Sequence, residues 1–479
     1  MKNKFLQLFS RSLPHTPTND QQRAIEQLTE FIYSQSKDDL FLLRGYAGTG
    51  KTTLVSTLIK TLPKIGMKSV LLAPTGRAAK VLASYAGQHA NTIHRKIYFC
   101  SANNDGTIRM KLAANKHKKT IFFVDEASMI PDGTSGNFSQ NSLLDDLVNY
   151  VYQGDNCKII FIGDTAQLPP VGLNISPALD IDYLRASFSL DIHSDELTEV
   201  VRQKEDSGIL SNATTIREKL TYEDFAFPFF STQDFPHVHR VNGGELEELL
   251  NDYFNSNTPE DSIIVTRSNK RANNYNKEIR NRILYKTDEI NTGDYIMIVK
   301  NNYFWLPEDS KAGFIANGDI AEILKVSNTE ELYGYRFANA TIRLIDYPEE
   351  EHIETKLLLD TISSETPSLS YQENKKLFDT IMEDYKDIRS KKKRMEEIKK
   401  NPYFNALQIK HSYALTCHKT QGGQWKNVFI DQGYFKEEMM NAEYLRWLYT
   451  AITRATENVF LINFNDVFFK EENNVFYYD

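Results

Sequence analysis

The run Gly45-Tyr46-Ala47-Gly48-Thr49-Gly50-Lys51-Thr52 has the spacing G-x-x-x-x-G-K-[ST], and each residue type answers a need of phosphate binding. Glycines let backbone N–H groups close around phosphate oxygens, and a helix opening at the lysine aims its positive dipole end at them. Lys51 would reach the β- and γ-phosphates of a nucleotide, and Thr52 would place a hydroxyl on Mg2+, with Thr53 next to it in the same turn. Val124-Asp125-Glu126-Ala127 supplies the two carboxylates that a nucleotide hydrolase requires. Asp125 would hold the Mg2+ shell, and Glu126 would orient or deprotonate the attacking water. A third segment, Ile162-Gly163-Asp164-Thr165-Ala166-Gln167, puts Gln167 where it could touch the γ-phosphate or its water.

Each of these segments follows a short apolar run, which is what a parallel sheet with its ligand at the carboxyl edge demands. The first set of runs is FLLR (41–44), SVLLAP (69–74), TIFFVDE (120–126) and KIIFIGD (158–164). A second set is SIIVTR (262–267), SYALT (412–416), NVFIDQG (427–433) and NVFLINF (458–464). Runs so dense in Ile, Val, Leu and Phe suit strands buried on both faces, with helices between them. The expected class is α/β, with two parallel-sheet cores in tandem.

Each core carries an insertion. Residues 95–119 hold seven Lys and Arg against the single acid Asp105, with N-N-D-G as the turn between two short strands. The stretch from about 292 to 365 alternates short apolar segments with turn residues, as a small β-barrel would. Helix-forming residues 370–400 follow, with Lys391-Lys392-Lys393-Arg394 read as a solvated face because Glu396 and Glu397 sit beside it. The expected boundaries are 1–94 with 120–205 for the first core and 206–291 with 405–479 for the second. Residues 95–119 and 292–404 form the insertions.

Composition narrows the class further. The 479 residues carry 56 Lys and Arg against 64 Asp and Glu, a net charge of −8, which argues against coating a polyanion through global charge. Three cysteines, without C-x-x-C spacing, make neither a disulfide framework nor a zinc site, and point to a reducing, cytoplasmic compartment. No apolar run approaches the ~18 residues of a membrane span. Gln7 and Arg11 interrupt the opening apolar stretch, which makes it a poor signal peptide.

In this order the motifs resemble a superfamily 1 DNA helicase of the RecD-like branch. Thr18-Asn19-Asp20-Gln21-Gln22-Arg23-Ala24 is similar to the T-x-x-Q-x-x-A segment, whose glutamine, here Gln21, reads adenine. LLAPTGRAAK (71–80) resembles motif Ia, followed by Asn91-Thr92-Ile93-His94; GDTAQLPPVG resembles motif III, and LTEVVRQ (197–203) the L-T-x-x-x-R segment. VTRSNKRANNYN (265–276) is similar to the opening of the second core, YALTCHKTQGGQW (413–425) to motif V and LYTAITRA (448–455) to motif VI. Gln424 stands where many relatives carry an acid.

The resemblance implies two RecA-like P-loop cores, a β-hairpin pin at 95–119 and an SH3-like β-barrel insertion in the second core. It implies an ATP- and Mg2+-dependent enzyme that hydrolyses ATP, moves along single-stranded DNA 5′→3′ as the cores close and open, and unwinds tailed or forked duplexes as a monomer. Arg202 and Arg454 would serve as arginine fingers on the γ-phosphate. Pro74, Thr75, Arg77, His94, Thr416, His418 and Lys419 would line the DNA path, although both histidines equally suit satisfied structural positions. Two other readings of the same segments stay open: an ATP-driven DNA-binding switch with little unwinding, and the same motor acting on an RNA–DNA hybrid.

Overall fold

The computed structural model describes residues 2–102, 108–131, 133, 141–201, 207–232, 235–256, 258–307, 310, 312–347 and 350–469, with 100–102 and 108–110 described by backbone alone. Strands β1 (Asp39–Gly45), β2 (Lys68–Ala73), β3 (Ala90–Thr92), β4 (Tyr98–Ala102), β5 (Ile108–Leu112), β6 (Lys118–Val124), β7 (Asp155–Gly163) and β8 (Asp191–Leu197) open the chain. Six of them form one parallel sheet in the order β3-β2-β6-β7-β1-β8. Side chains alternate across it, so Phe41, Leu43, Ile160 and Ile162 face one apolar cluster, while Leu40, Leu42, Ile159 and Phe161 face another. The first cluster is filled by α1 (Lys2–Arg11), α2 (Asn19–Tyr33) and α3 (Lys51–Thr61), through residues such as Phe5, Phe9, Ile25, Phe31 and Leu58. Helix Leu143–Tyr152 fills the second through Leu144, Leu147 and Val151.

The expected runs thus become β1, β2, β6 and β7, and two partners were not expected. β8 reads Asp-Ile-His-Ser-Asp-Glu-Leu, and as the edge strand beyond β1 it needs little apolar surface. β3, three residues at the opposite edge, is too short to leave a pattern. β4 and β5 pair antiparallel as the hairpin of the first insertion; its expected N-N-D-G turn lies outside the described residues.

The later strands are β9 (Val238–Val241), β10 (Ser262–Thr266), β11 (Tyr295–Ile298), β12 (Ile320–Leu332), β13 (Tyr335–Leu344), β14 (Ile353–Leu358), β15 (Leu407–His411), β16 (Ala414–Thr416), β17 (Trp425–Asp431) and β18 (Ala455–Ile462). A second parallel sheet runs β16-β10-β17-β18-β9. Its helix-facing side packs Tyr253 and Phe254 on Phe429 and Phe460, whose rings stack 4.3 Å apart.

β11 to β15 close a five-stranded barrel around Ile296, Ile323, Ile342, Leu357 and Ile409. This corrects the expected boundary at 404: Leu407–His411 is a barrel strand, paired antiparallel with β11 and parallel with β14. Helices Tyr371–Glu383 and Lys391–Lys400 intervene before it and pack on the barrel's outside through Leu377, Ile381 and Ile398. Lys391, Lys392 and Lys393 stay exposed, and Lys400 pairs with Glu397 at 3.2 Å.

Two compact units emerge. One comprises 1–165, 169–199 and 287–412, uniting the first sheet with the barrel; the other comprises 166–168, 200–286 and 413–479. Within the first unit the barrel sits on α4 (Gly76–Ala86) and α5 (Ile93–Ile97). Lys80 forms a 2.8 Å ion pair with the buried Asp319 and lies 4.1 Å from the Tyr347 ring, while the Arg95 guanidinium lies over Phe314 at 4.7 Å. A Cβ on Gly76 would stand 1.8 Å from the Ala316 Cβ, so this contact admits no side chain. Gly76→Ala is therefore expected to destabilise the unit by about 1–3 kcal/mol through overpacking. Urea unfolding of Gly76→Ala and of Gly76→Ala/Ala316→Gly checks this: the second variant should regain most of the loss.

Candidate active site

The segment between β1 and α3 forms a loop whose shape its glycines determine. Gly48 (φ 80°) and Gly50 (φ 82°) are left-handed, a region that a side chain disfavours. The loop is pinned from outside, because the Tyr46 N–H donates to the Leu197 carbonyl at the end of β8 and the Thr49 hydroxyl donates to the Tyr46 carbonyl. Gly50 caps α3 without a side chain, so the cap residue itself places no side-chain oxygen on the first-turn N–H groups. Lys51 Nζ donates to the Gly45 and Tyr46 carbonyls at 2.5 and 2.8 Å, which holds its charge over the loop. Thr52 is exposed in the first turn, and Thr53 is half-buried beside it.

Asp125 and Glu126 follow β6 at the same carboxyl edge, across β7 from β1. Burial pushes Asp125 above the usual carboxylate range, against a Tyr85 hydroxyl at 2.5 Å, the Glu126 N–H at 3.0 Å and the charge of Lys51, which all favour its ionised form. Glu126 has φ 51°, a left-handed conformation in a residue with a side chain. Such strain costs of order 1–3 kcal/mol and gathers at functional positions. Burial and the neighbouring charges of Asp125 and Glu126 raise the Tyr85 phenol, keeping it a hydrogen-bond donor. Tyr85 has no motif signature, and only its contact with a residue 40 positions away reveals it.

The exposed Thr52 hydroxyl and the Asp125 carboxylate are hard oxygen donors. Few protein ligands beside a phosphate loop suit Mg2+, which keeps phosphate oxygens and water in its shell. The residues therefore fit this ion.

Gln21, the expected adenine contact, also has a structural role in the fold. It is 1% exposed, its Nε2 donates to the Thr49 carbonyl at 2.9 Å, and its Oε1 accepts the Thr18 N–H in a capping box. The glutamine thus ties the start of α2 to the phosphate loop. Beside it, burial disfavours the Asp20 charge, but donors from Thr198, Glu199 and Arg23 hold this carboxyl below its ordinary value. Arg23 also reaches Asp195, so the end of β8 is fastened to α2.

Of the residues expected along DNA, Pro74 and Thr75 follow β2 at the same edge, and Thr75 Oγ1 caps α4 by accepting the Ala78 N–H. Arg77 lies beside Gly318 of the barrel. His94 packs against Tyr98, with ring centroids 5.8 Å apart, and burial lowers its pKa, which favours the neutral ring. Tyr98 is anchored through its hydroxyl to Asp146 at 2.6 Å, whereas Phe99 is 50% exposed on the hairpin.

In the second unit, Leu168 N–H donates to the Thr450 hydroxyl and Gln421 Nε2 donates to the Leu168 carbonyl, both at 2.8 Å. Gln167 beside them is 8% exposed, and its Oε1 has no hydrogen-bond partner among the described residues. Thr416 opens the turn Cys417–Thr420 without spending its hydroxyl on the cap, and His418 and Lys419 follow it, half-buried. Cys417 is buried and its thiol is pushed up to about 12, as befits a small core residue. Gln424 is exposed.

Arg454, the expected arginine finger, is engaged within its own unit. Its guanidinium is buried and donates to Thr450 O, Gly423 O and the Thr453 hydroxyl at 3.0, 3.3 and 3.2 Å, so it binds together motifs V and VI. Three of its five N–H donors are spent on these oxygens, which leaves two without a partner among the described residues. Arg202 lies outside the described residues.

Two families match along the chain, the AAA domain over residues 16–231 and the UvrD-like helicase C-terminal domain over residues 411–462. The ATP-dependent DNA helicase Dda of Enterobacteria phage T4 is 25% identical over 441 residues, covering 88% of this chain and 93% of that protein. The chain is thus similar to RecD-like helicases of superfamily 1. An uncharacterised protein of Acanthamoeba polyphaga mimivirus is 25% identical over 508 residues, covering 92% of this chain and 98% of its own. Among solved structures, the Pif1 helicase at forked double-stranded DNA is 16% identical, covers 96% of this chain and 95% of its own, and has a TM-score of 0.49. Among the described residues no helix is long and apolar enough to cross a membrane.

Proposed function

We propose that this chain is an ATP- and Mg2+-dependent DNA helicase that moves 5′→3′ along single-stranded DNA and unwinds tailed or forked duplexes. The observation that carries the reading is the edge shared by Lys51, Asp125 and Glu126, where a strained carboxylate stands beside a phosphate loop whose lysine charge reaches Asp125. Backbone N–H groups of 46–52 and the Lys51 amine hold the nucleotide's phosphates. Thr52 and Asp125 would hold Mg2+, which would supply charge neutralisation to the nucleotide's phosphates. Glu126 orients the attacking water and takes its proton, and Gln167 offers its unsatisfied amide oxygen to that water. Arg454 contributes its unspent donors to the phosphoryl charge, and Arg202 fills the second arginine role.

Single-stranded DNA is met by hydroxyl and basic groups at the strand ends: Pro74, Thr75 and Arg77 in one unit, and Thr416, His418 and Lys419 in the other. Phosphate contacts position the strand without reading its sequence. Stepping follows when the nucleotide-bound and nucleotide-free forms differ in DNA affinity. The hairpin, with its exposed Phe99 and its excess of Lys and Arg, acts where duplex is parted.

Duplexes with a 5′ or a 3′ single-stranded tail test this reading. ATP-dependent strand displacement from the 5′-tailed substrate is the expected outcome, and unwinding from 3′ tails alone would reverse the polarity. Hydrolysis stimulated by DNA without any displacement would reduce the chain to a switch. Binding to single-stranded DNA should weaken steeply with salt, with a log–log slope of roughly −0.7 per phosphate contact.

A further inference from the structure

Helix α4 meets the barrel, the helix after the phosphate loop and Asp125. Its N-terminus carries Thr75 and Arg77, and Gly76 and Lys80 seat the barrel at Ala316 and Asp319. At its other end the Tyr85 hydroxyl donates to Asp125 Oδ2 at 2.5 Å. The Tyr85 carbonyl accepts Ser56 Oγ at 2.7 Å and Lys60 Nζ at 3.2 Å, both from the helix that follows the phosphate loop. Eleven helical residues make a rod of about 16 Å at 1.5 Å per residue. We propose that Tyr85 is a positioning residue: it fixes the orientation of Asp125 toward the metal and transmits the placement of α4, set by DNA at its far end, to the nucleotide. This rests on the function proposed above and names its regulation.

The chemistry follows from the two oxygens of Asp125. Oδ2 accepts a hydrogen bond from the phenol O–H and Oδ1 accepts one from the Glu126 N–H, so the carboxylate plane is held at both ends and each oxygen keeps a lone pair for a cation. Without the phenol, the plane is free to turn about a soft torsion. Partners of this kind behind a metal ligand are typically worth 10–100-fold in metal affinity. Because the phenol is carried on α4, a shift of that helix moves the donor relative to β6, which carries the acceptor. Binding at either end then alters binding at the other by the same factor.

Tyr85→Phe keeps the ring and removes the hydroxyl. Mn2+ binding to the nucleotide-loaded protein, read by electron paramagnetic resonance, should weaken by about 10-fold or more in this variant. The ratio of single-stranded DNA affinities with and without ADP and Mg2+ should fall toward one. Ser56→Ala cuts a bond to the same residue's carbonyl without touching the carboxylate, and should keep parental Mn2+ affinity. Equal losses in both variants would mark Tyr85 as merely structural and overturn the proposal, as would parental Mn2+ affinity and coupling in Tyr85→Phe. If the parent itself bound nucleotide without any metal dependence, the function proposed above would fall and the Tyr85 role with it.

Discussion

Glu126→Gln is expected to lower DNA-stimulated ATP hydrolysis by about 10²–10⁴-fold while leaving nucleotide binding close to that of the parent. Gln has nearly the size of Glu and the same backbone, so the left-handed conformation at φ 51° and the N–H bond to Asp125 have the same supports in the variant. What is lost is the carboxylate's capacity to take a proton from water. Lys51→Ala differs in kind. It removes a point charge from over the loop, where Lys51 Nζ lies on two carbonyls, and a charged donor of that sort is worth roughly 10²–10³-fold in turnover. Affinity for the phosphates should fall with it. Steady-state phosphate release at saturating single-stranded DNA, paired with titration of a fluorescent ADP, separates the two. Turnover of Glu126→Gln within tenfold of the parent would remove Glu126 from the water-activating role, and unchanged ADP affinity in Lys51→Ala would remove Lys51 from the phosphate site.

These residues were legible because their chemistry is local. A phosphate loop must be contiguous, and the paired carboxylates must end a strand, so spacing alone exposes them. β1, β2, β6 and β7 were legible for a related reason: interior parallel strands need apolar residues on both faces. β8 is an edge strand and escaped that requirement, with Asp191, Ser194, Asp195 and Glu196 all tolerated there. β15 was assigned to the wrong body because two helices separate it from the rest of the barrel, and only its pairing with β11 and β14 fixes where it belongs. Tyr85 and Gln21 mark the limit at the site. Gln21 belongs to a motif, and Thr18-x-x-Gln21 also has the spacing of a capping box, which the fold forms. Tyr85 needed contact across 40 residues, which no local pattern encodes.

The largest stability effect is expected away from the motifs, at the far end of α2. Lys158 and Asp39 are 3% and 2% exposed and form an ion pair at 3.0 Å. The ammonium also donates to the carbonyls of Phe31 and Ser34 at the C-terminus of α2 and lies 4.9 Å from the Phe31 ring. One side chain thus joins β7 to β1 and to the helix whose other end holds the phosphate loop through Gln21. Lys158→Met keeps the stem and strands the buried carboxylate, at a cost of about 3–5 kcal/mol in urea unfolding. Asp39→Asn in the same background removes the stranded charge and should recover much of the loss. The pH dependence has a definite sign. Burial raises the Asp39 carboxyl, but the Ser34 and His193 contacts and Lys158 outweigh it and hold the group below its ordinary value. Its contribution is therefore complete above the unfolded value, near pH 4, and is lost as pH falls through the lower folded value. The gap between the parent and Asp39→Asn should be full at pH 7 and shrink below pH ~4. ADP affinity should fall along with stability in Lys158→Met, because the helix that carries Gln21 loses its anchor. A loss below about 1 kcal/mol, the scale of an exposed pair, would show that the pair does not hold α2 in place.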